Sequence, residues 1–509
     1  MTSSSKTEKT ITRRRFLQIA GGTTFLALVP VSRGCYALPA NGTRRNNLLF
    51  TALPYIQPGD NSRLIDGRES LVVAWQTEPV AANFEVLWGQ SQQYGQRVVV
   101  SRMPRTSGDR GKMGFNYIAT IPNLKLGRRY FYLVKCNGQT ILKGFFTTRQ
   151  PRGTSTRFVA FGDNSYGGQS DHRIAYQAWR ARPDFVMNTG DNVYDAGLNS
   201  DYERNFFPVY NSDKTGPELG APLLRSVPFY TVMANHDIPH RDANRRPIVD
   251  FDKDPDALAY YTAMHLPRNG PMPQHPTPTQ GTSHKKEFLQ CAASRFPRMA
   301  NYSFDYGDAH FLCLDSNLYV DPTSQALQHW IESDLRSTHA VWKFVVWHHP
   351  SFNIGDEHYD QQHMRVLSPL LERCGVDIVL HGHEHNYQRT RPLRFAPYAL
   401  DKARQVGTRD RRTPGTFRVD RTFDGRNRTR PNGLIYIVTG AGGNKLYDPE
   451  ITDNPRSWKH ADDNNVEYVA RAISDCHSLS VFEIHGKTLY MAQIDEWGKT
   501  IDRITVTKA

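Results

Sequence analysis

This chain has few of the features that build cysteine-stapled or membrane-built proteins. Its 509 residues include six cysteines and no Cys-x-x-Cys pair, so a zinc ribbon or a thioredoxin-like redox site has no ligands to rest on. No internal repeat occurs, which excludes a solenoid. The apolar run from Phe16 to Val31 is broken by Gly21 and Gly22 and is shorter than the roughly 20 residues that cross a bilayer. The formal charge of +13 lacks the spread of a nucleic-acid surface. Residues 1–40 hold six Lys/Arg and one Glu, residues 391–432 hold twelve Lys/Arg and four Asp/Glu, and the remainder is neutral. No aromatic-interleaved platform accompanies that one basic segment, so nucleic acid is not an expected partner. An apolar fraction of 39% is ordinary for a soluble globular protein of two or three domains.

What is present begins with an address. Thr12-Arg13-Arg14-Arg15-Phe16-Leu17-Gln18 precedes the apolar run, and small residues follow at Ala37 and Ala40. The pattern matches a twin-arginine export signal over residues 1–40, read by the twin-arginine translocase and not an anchor. It implies delivery to the periplasm or the exterior, with no stable membrane insertion after cleavage. Removal of Cys35 leaves Cys136, Cys291, Cys313, Cys374 and Cys476, an odd number in which at least one thiol is unpaired.

Residues 46–149 read as an all-β sandwich. Leu71–Thr77, Phe84–Trp88, Tyr117–Ile121, Tyr130–Val134 and Gly144–Thr148 are rich in β-branched and aromatic residues and are separated by turn formers. The stretch Ile121-Pro-Asn-Leu-Lys-Leu-Gly-Arg-Arg-Tyr-Phe-Tyr132 resembles the penultimate turn and strand of fibronectin type III-like domains. From residue 155 to 509 the pattern becomes strand, loop, helix. Arg157–Phe161, Phe185–Thr189, Pro228–Met233, Trp342–Trp347 and Val376–Leu380 are continuous apolar runs expected of strands buried on both faces. His172–Ala181 and Gln325–Leu335 read as helices between them, giving an α/β domain whose ligands belong at the carboxyl ends of the strands. Residues 239–300 and 391–432 interrupt this core and are expected as loops or lids near the site.

Five motifs fall at those strand ends: Asp163, Asp191 with Tyr194, Asn235 with His236, His348, and His383 with His385. Singly, each has an ordinary role as a cap, a core ring or a coincidence. Their order on separate apolar strands points to two metal ions. A similar Gly-Asp-Asn-Ser at Gly59–Ser62 follows a proline turn and reads as a turn. Asp191 is the carboxylate suited to bridge two ions. Asp163, Tyr194 and His385 would complete one site, where hard oxygens and a phenolate favour Fe(III). Asn235, His348 and His383 would complete the other, suited to a divalent ion such as Zn, Mn or Fe.

In this order the motifs resemble those of the purple acid phosphatases, within the calcineurin-like metallophosphoesterases. Asn301–Asp315, the helix Gln325–Leu335 and Val438-Thr-Gly-Ala-Gly-Gly443 are similar to further segments of that family. A fibronectin-like domain before the catalytic one is likewise similar to its larger members. The resemblance implies a fold of two packed mixed β-sheets flanked by helices. Two departures, Gly162-Asp-Asn-Ser165 for a motif with glycine two places after the Asp and Ala234-Asn-His for Gly-Asn-His, keep every ligand and alter loop geometry.

The implied activity is that of an exported dinuclear-metal phosphatase acting on small phosphate monoesters. A hydroxide held by the metals would attack phosphorus in line with the ester oxygen, with an acid pH optimum. His236, beside Asn235, is placed to bond a phosphate oxygen or protonate the leaving alkoxide. His358, ten residues after His348, occupies a position similar to the family's second substrate histidine. His349 and His381 are expected to point away, Asp237, Glu384 and Tyr387 to orient ligand histidines, and Arg389 to attract anions or stay solvated. Two alternatives stay open: a phosphodiesterase of the same architecture, and a non-catalytic exported binding protein.

Overall fold

The computed structural model describes residues 43–45, 48–60, 64, 67–80, 82–107, 112–241, 247–458 and 466–509. The export signal expected over residues 1–40 lies outside the described residues. Among the described residues no helix is long and apolar enough to cross a membrane.

Period-two alternation builds the first layer pair. In Lys112–Lys125, Tyr117, Ala119 and Ile121 turn inward while Thr120 and Pro122 face out. That strand lies in a five-stranded antiparallel sheet with Thr43–Arg45, Leu48–Gln57, Arg68–Thr77 and Val100–Ser107. Gln96–Val98, Phe84–Gly89, Arg129–Cys136 and Gln139–Thr147 form the facing four-stranded sheet. Trp75, Val86, Tyr132 and Phe146 fill the space between them. Leu124 is fully buried, and the Tyr130 hydroxyl accepts the Lys125 N–H at 3.0 Å, fixing the turn before the tyrosine-bearing strand.

Continuous apolar runs build the second layer pair, because strands covered on both faces have no polar side to present. Phe229–Thr231, Phe185–Asn188 and Thr156–Phe161 are parallel neighbours, and Ser478–His485, Thr488–Asp495 and Thr500–Thr507 extend the same sheet antiparallel. The facing seven-stranded sheet runs Tyr302–Tyr306, Ala309–Cys313, Trp342–Val346, Ile378–His381, Ile435–Thr439, Tyr387–Thr390, Val469–Ile473. It is mixed as well, with parallel pairing from Ala309–Cys313 through Ile435–Thr439. Phe158 joins the sheets: it stacks on Phe482 at 4.6 Å and meets Phe311 and Phe344 edge-on at 5.2 and 5.3 Å, geometries that aromatic quadrupoles favour. The two helices expected from the sequence form over Gln169–Arg180 and Gln325–Ser337.

Residues 239–300 depart from the expected lid. They form three short strands, His240–Arg241, Pro247–Asp250 and Thr279–Gln280, and the helix Ser283–Ala292. The segment faces the sandwich: Tyr55 and Asn116 donate to the carbonyls of Ala263 and Thr262 at 2.7 and 2.9 Å, and Thr106 donates to Glu287 at 2.7 Å. Its polar composition hid this packing, because the helix buries only Phe288, Cys291 and Ala292. The turn residue Asp60 is paired with Arg268 of the same segment. The five cysteines after Cys35 are all free thiols.

Candidate metal centre

Each of the five motifs lies just beyond the carboxyl end of a strand. Asp163 follows Thr156–Phe161, Asp191 and Tyr194 follow Phe185–Asn188, and Asn235 follows Phe229–Thr231. His348 follows Trp342–Val346, and His383 and His385 follow Ile378–His381. The two sheets therefore deliver their loops to one place. Asp163, Asp191 and His383 have φ of 58°, 49° and 68°, a left-handed conformation that costs a non-glycine residue about 1–2 kcal/mol. Three such residues at one site mark a geometry that the surrounding packing over-determines.

The ligating atoms converge in two overlapping groups. The Tyr194 hydroxyl is 3.2 Å from Asp163 Oδ1, from Asp191 Oδ2 and from His385 Nε2. Asp191 Oδ2 is also 3.2 Å from His348 Nε2, and one ligand atom from each of Asp191, His348 and His383 lies within 4.8 Å of the others. Asp191 thus belongs to both groups. Asn235 Oδ1, His348 Nε2 and His383 Nε2 are buried without a hydrogen-bond partner among the described residues. Three buried polar atoms without partners in one cluster are costly unless something binds them.

Backbone carbonyls aim the histidines. His348 Nδ1 donates to Thr189 O at 2.8 Å and His385 Nδ1 to Lys445 O at 2.7 Å, leaving the Nε2 lone pairs turned inward. Asp163 is held by the His383 N–H at 2.9 and 3.0 Å. The loop after Asp163 is pinned by Asp171, which accepts N–H bonds from Ser165, Gly167 and Gly168.

The electrostatics ask for positive charge. Burial opposes charge on His348, yet Asp191 and Asp163 lift its pKa to about 9. Burial works against ionised Asp191 too, and His348 and His236 outweigh it and hold that carboxyl below the usual range. Burial, Asp191 and Asp163 together push the Tyr194 phenol well above its ordinary value, so a phenolate here needs a cation beside it. Two carboxylates, a phenol and inward-turned imidazoles fit metal ions.

His236 and His358 flank this set. His236 is partly exposed, its ring 4.4 Å from that of Tyr194, and its Nδ1 donates to Asp195 O at 2.7 Å. His358 stacks on His383 at 3.7 Å. Its Nδ1 faces N–H donors from Gln361 at 3.0 Å and Arg409 at 3.2 Å, which assigns its proton to Nε2.

Several expected roles fall elsewhere. Asp237 accepts the Ala234 N–H and closes its own turn, and Glu384 accepts from Asn353 and the His358 N–H. Tyr387 and Arg389 both bond Asp502 at 2.7 Å, so Arg389 is spent in a buried ion pair and meets no substrate. His381 does point away, with Nδ1 3.3 Å from Trp347 O. His349 bonds Ser316, yet its ring also lies 4.3 Å from His383.

One contributor was missed at the level of sequence. The loop after Ile435–Thr439 supplies Asn444, whose N–H bonds Asp163 O, the Lys445 carbonyl, and Tyr447, stacked on His385 at 3.9 Å. Gly440 and Gly442 let it enter: a Cβ on either would meet the Glu384 or Gly162 carbonyl. Its signal was Gly440-Ala-Gly-Gly443 at the end of an apolar run, which lacks ligand-type residues.

Comparison with known proteins agrees with this arrangement. Residues 156–387 match the model of the calcineurin-like phosphoesterase family. Purple acid phosphatase 17 of Arabidopsis thaliana is 27% identical over 262 residues, half of this chain and 69% of the relative. An uncharacterized protein of Mycobacterium tuberculosis strain H37Rv is 27% identical over 471 residues, 86% of this chain and 79% of its own length. The structure of a purple acid phosphatase from yellow lupin seeds superposes with a TM-score of 0.59 at 17% identity, covering 89% of this chain and 74% of that one. The chain therefore carries a calcineurin-like metallophosphoesterase domain with purple acid phosphatases among its homologues, a family that implies a dinuclear metal centre.

Proposed function

We propose that this protein is an exported acid phosphatase of the purple type, hydrolysing small phosphate monoesters with an Fe(III) and a divalent ion. The observation that carries the reading is Asp191 Oδ2, shared at 3.2 Å by Tyr194 and His348. Asp163, Tyr194 and His385 would hold the trivalent ion, and Asn235, His348 and His383 the divalent one. Two ions held there supply Lewis acidity, neutralising charge on the transferring group and lowering the pKa of water. The residues of the chain do the rest. His236, with Nδ1 committed to Asp195 O, keeps Nε2 to hold a proton for the leaving oxygen. His358, with its proton on Nε2, donates a hydrogen bond to a phosphoryl oxygen. That neutral tautomer favours a binding role for His358 over the acid role. Export rests on the residue 1–40 signal, and a fibronectin type III-like identity for the sandwich rests on Leu124 and the Tyr130 turn.

The test is metal content with the visible spectrum of the folded exported protein, together with turnover of p-nitrophenyl phosphate and bis-p-nitrophenyl phosphate from pH 4 to 9. Iron with a tyrosinate band and preferred monoester turnover at acid pH is expected. Preferred diester turnover would move the assignment to a phosphodiesterase, and metal-free inactive protein would end it.

A further inference from the structure

The basic segment has an unassigned purpose. Within 391–432, Leu393–Pro397 and Gly415–Val419 form a hairpin, and the stretch between them is stitched to the loops beside the metal centre. Arg411 is fully buried and donates to the carbonyls of Ala403, Leu318 and Val320, while its own N–H bonds Asp360 O at 2.9 Å. Arg412 pairs with Asp360 at 2.5 Å, and the Gly407 and Thr413 N–H groups bond Leu318 O and Gln362 Oε1. Arg411, Arg412 and Thr413 hold the segment against the 357–363 loop that carries His358, while Gly407 and the Arg411 side chain tie it to Leu318 and Val320.

This clamp presents Arg409. One terminal nitrogen of its guanidinium reaches Glu357 O at 3.3 Å and His358 Nδ1 at 3.2 Å. Arg409 is exposed, and among the described residues no carboxylate pairs with it. An arginine held at the edge of an anion site with its other terminal nitrogen uncommitted is suited to a second oxyanion. Since the His358 ring stacks on His383, the guanidinium stands one imidazole away from the metal ligands.

We propose that Arg409 selects substrates bearing a second phosphate next to the scissile one, so that diphosphates are preferred over simple monoesters. The inference rests on the phosphatase reading of the same site. In the reaction, the oxygen of a water bonds the terminal phosphorus and the bridging P–O bond breaks. The bridging oxygen leaves on the remaining phosphate with a proton from His236 Nε2, which a proton of the water restores.

The experiment compares kcat/KM for inorganic pyrophosphate and p-nitrophenyl phosphate in the metal-loaded wild-type chain, Arg409→Ala and Arg409→Lys. It adds calorimetric binding of imidodiphosphate, which is not hydrolysed, and of inorganic phosphate. Arg409→Ala is expected to lower the pyrophosphate to p-nitrophenyl phosphate ratio by about tenfold or more, mainly through KM, and to weaken imidodiphosphate by a similar factor relative to phosphate. Arg409→Lys is expected to recover part of both. Equal losses on the two substrates would assign Arg409 to holding His358 and overturn the proposal, as would unchanged ratios. Wild-type protein that turns over neither substrate, yet binds imidodiphosphate through Arg409, would overturn the phosphatase reading and leave this site standing.

Discussion

His348 points Nε2 at Oδ2 of Asp191 across 3.2 Å, while its Nδ1 is committed to the Thr189 carbonyl at 2.8 Å. The imidazole is therefore held as a lone-pair donor, and the carboxylate opposite it is shared with Tyr194. Substituting His348→Ala should remove one metal equivalent. Turnover should fall by at least the roughly 100-fold that even outer partners of ligands can cost. Metal analysis and p-nitrophenyl phosphate hydrolysis read both, and full metal content with near-normal turnover would rule out this half of the centre.

Tyr194→Phe separates the two halves. The phenol is buried beside two carboxylates, so its loss should abolish any visible tyrosinate band while circular dichroism stays that of the folded protein. A visible band that survives would remove Tyr194 from the ligand set.

Proton delivery by His236 is tested with His236→Ala. General acid catalysis is worth about 10²–10⁴-fold, so kcat should fall by that range for a poor alkyl leaving group and much less for p-nitrophenolate, which needs no proton. Equal losses on both would reassign His236 to binding the phosphoryl group.

Gly382 leaves no room for a side chain beside two ligands. A Cβ there would lie 2.5 Å from Asp163 Oδ2 and 3.0 Å from His348 Nδ1, both held in place by hydrogen bonds. Gly382→Ala should cost about 1–3 kcal/mol of stability by overpacking and weaken metal binding. Denaturant titration together with metal content reads this, and a variant equal to wild type in both would show that the strand end can shift.

A buried histidine held between two carboxylates, one of them exposed, sets a pH dependence outside the metal-ligand set. His310 lies between Asp305 and Asp334 at 2.8 Å each, linking Tyr302–Tyr306 to the helix Gln325–Ser337. Burial opposes its charge, but the two carboxylates raise its pKa from 6.5 to about 9. A raised folded pKa stabilises fully below the unfolded value and is lost as pH rises through the folded one, here between pH 6.5 and about 9. The shift corresponds to about 3 kcal/mol at most. Denaturation at pH 6 and pH 9.5 should show the difference between wild type and His310→Gln shrinking with pH, and a constant difference would refute the linkage.

Legibility differed from segment to segment. Apolar runs such as Phe158–Phe161 announced buried strands, and Asp163 announced a loop at their end, because burial on both faces leaves a simple pattern in the chain. The strand Ser478–His485, which pairs with Thr156–Phe161 from the far end of the chain and carries Thr488–Asp495 and Thr500–Thr507 beyond it in the sheet, gave no cue of its partner. The 239–300 segment read as loop because distant side chains of the sandwich donate to its carbonyls and to Glu287, contacts that leave no periodicity.

By itself the sequence determined which donors are available and in what order they meet strand ends, since residue chemistry and strand burial are local properties. Tertiary structure alone decided which atoms converge. Asp191 became the shared carboxylate because two sheets bring their loops to one point. Thr189 and Lys445, not Asp237, Glu384 or Tyr387, aim the histidines, because backbone carbonyls 159 and 60 residues from their partners arrive there through packing. Arg389 was consumed by Asp502, and Arg409 was carried to His358 by the clamp around Arg411. Charge can be counted along a chain, but whether an arginine is neutralised or left open to an anion depends on what folding sets beside it.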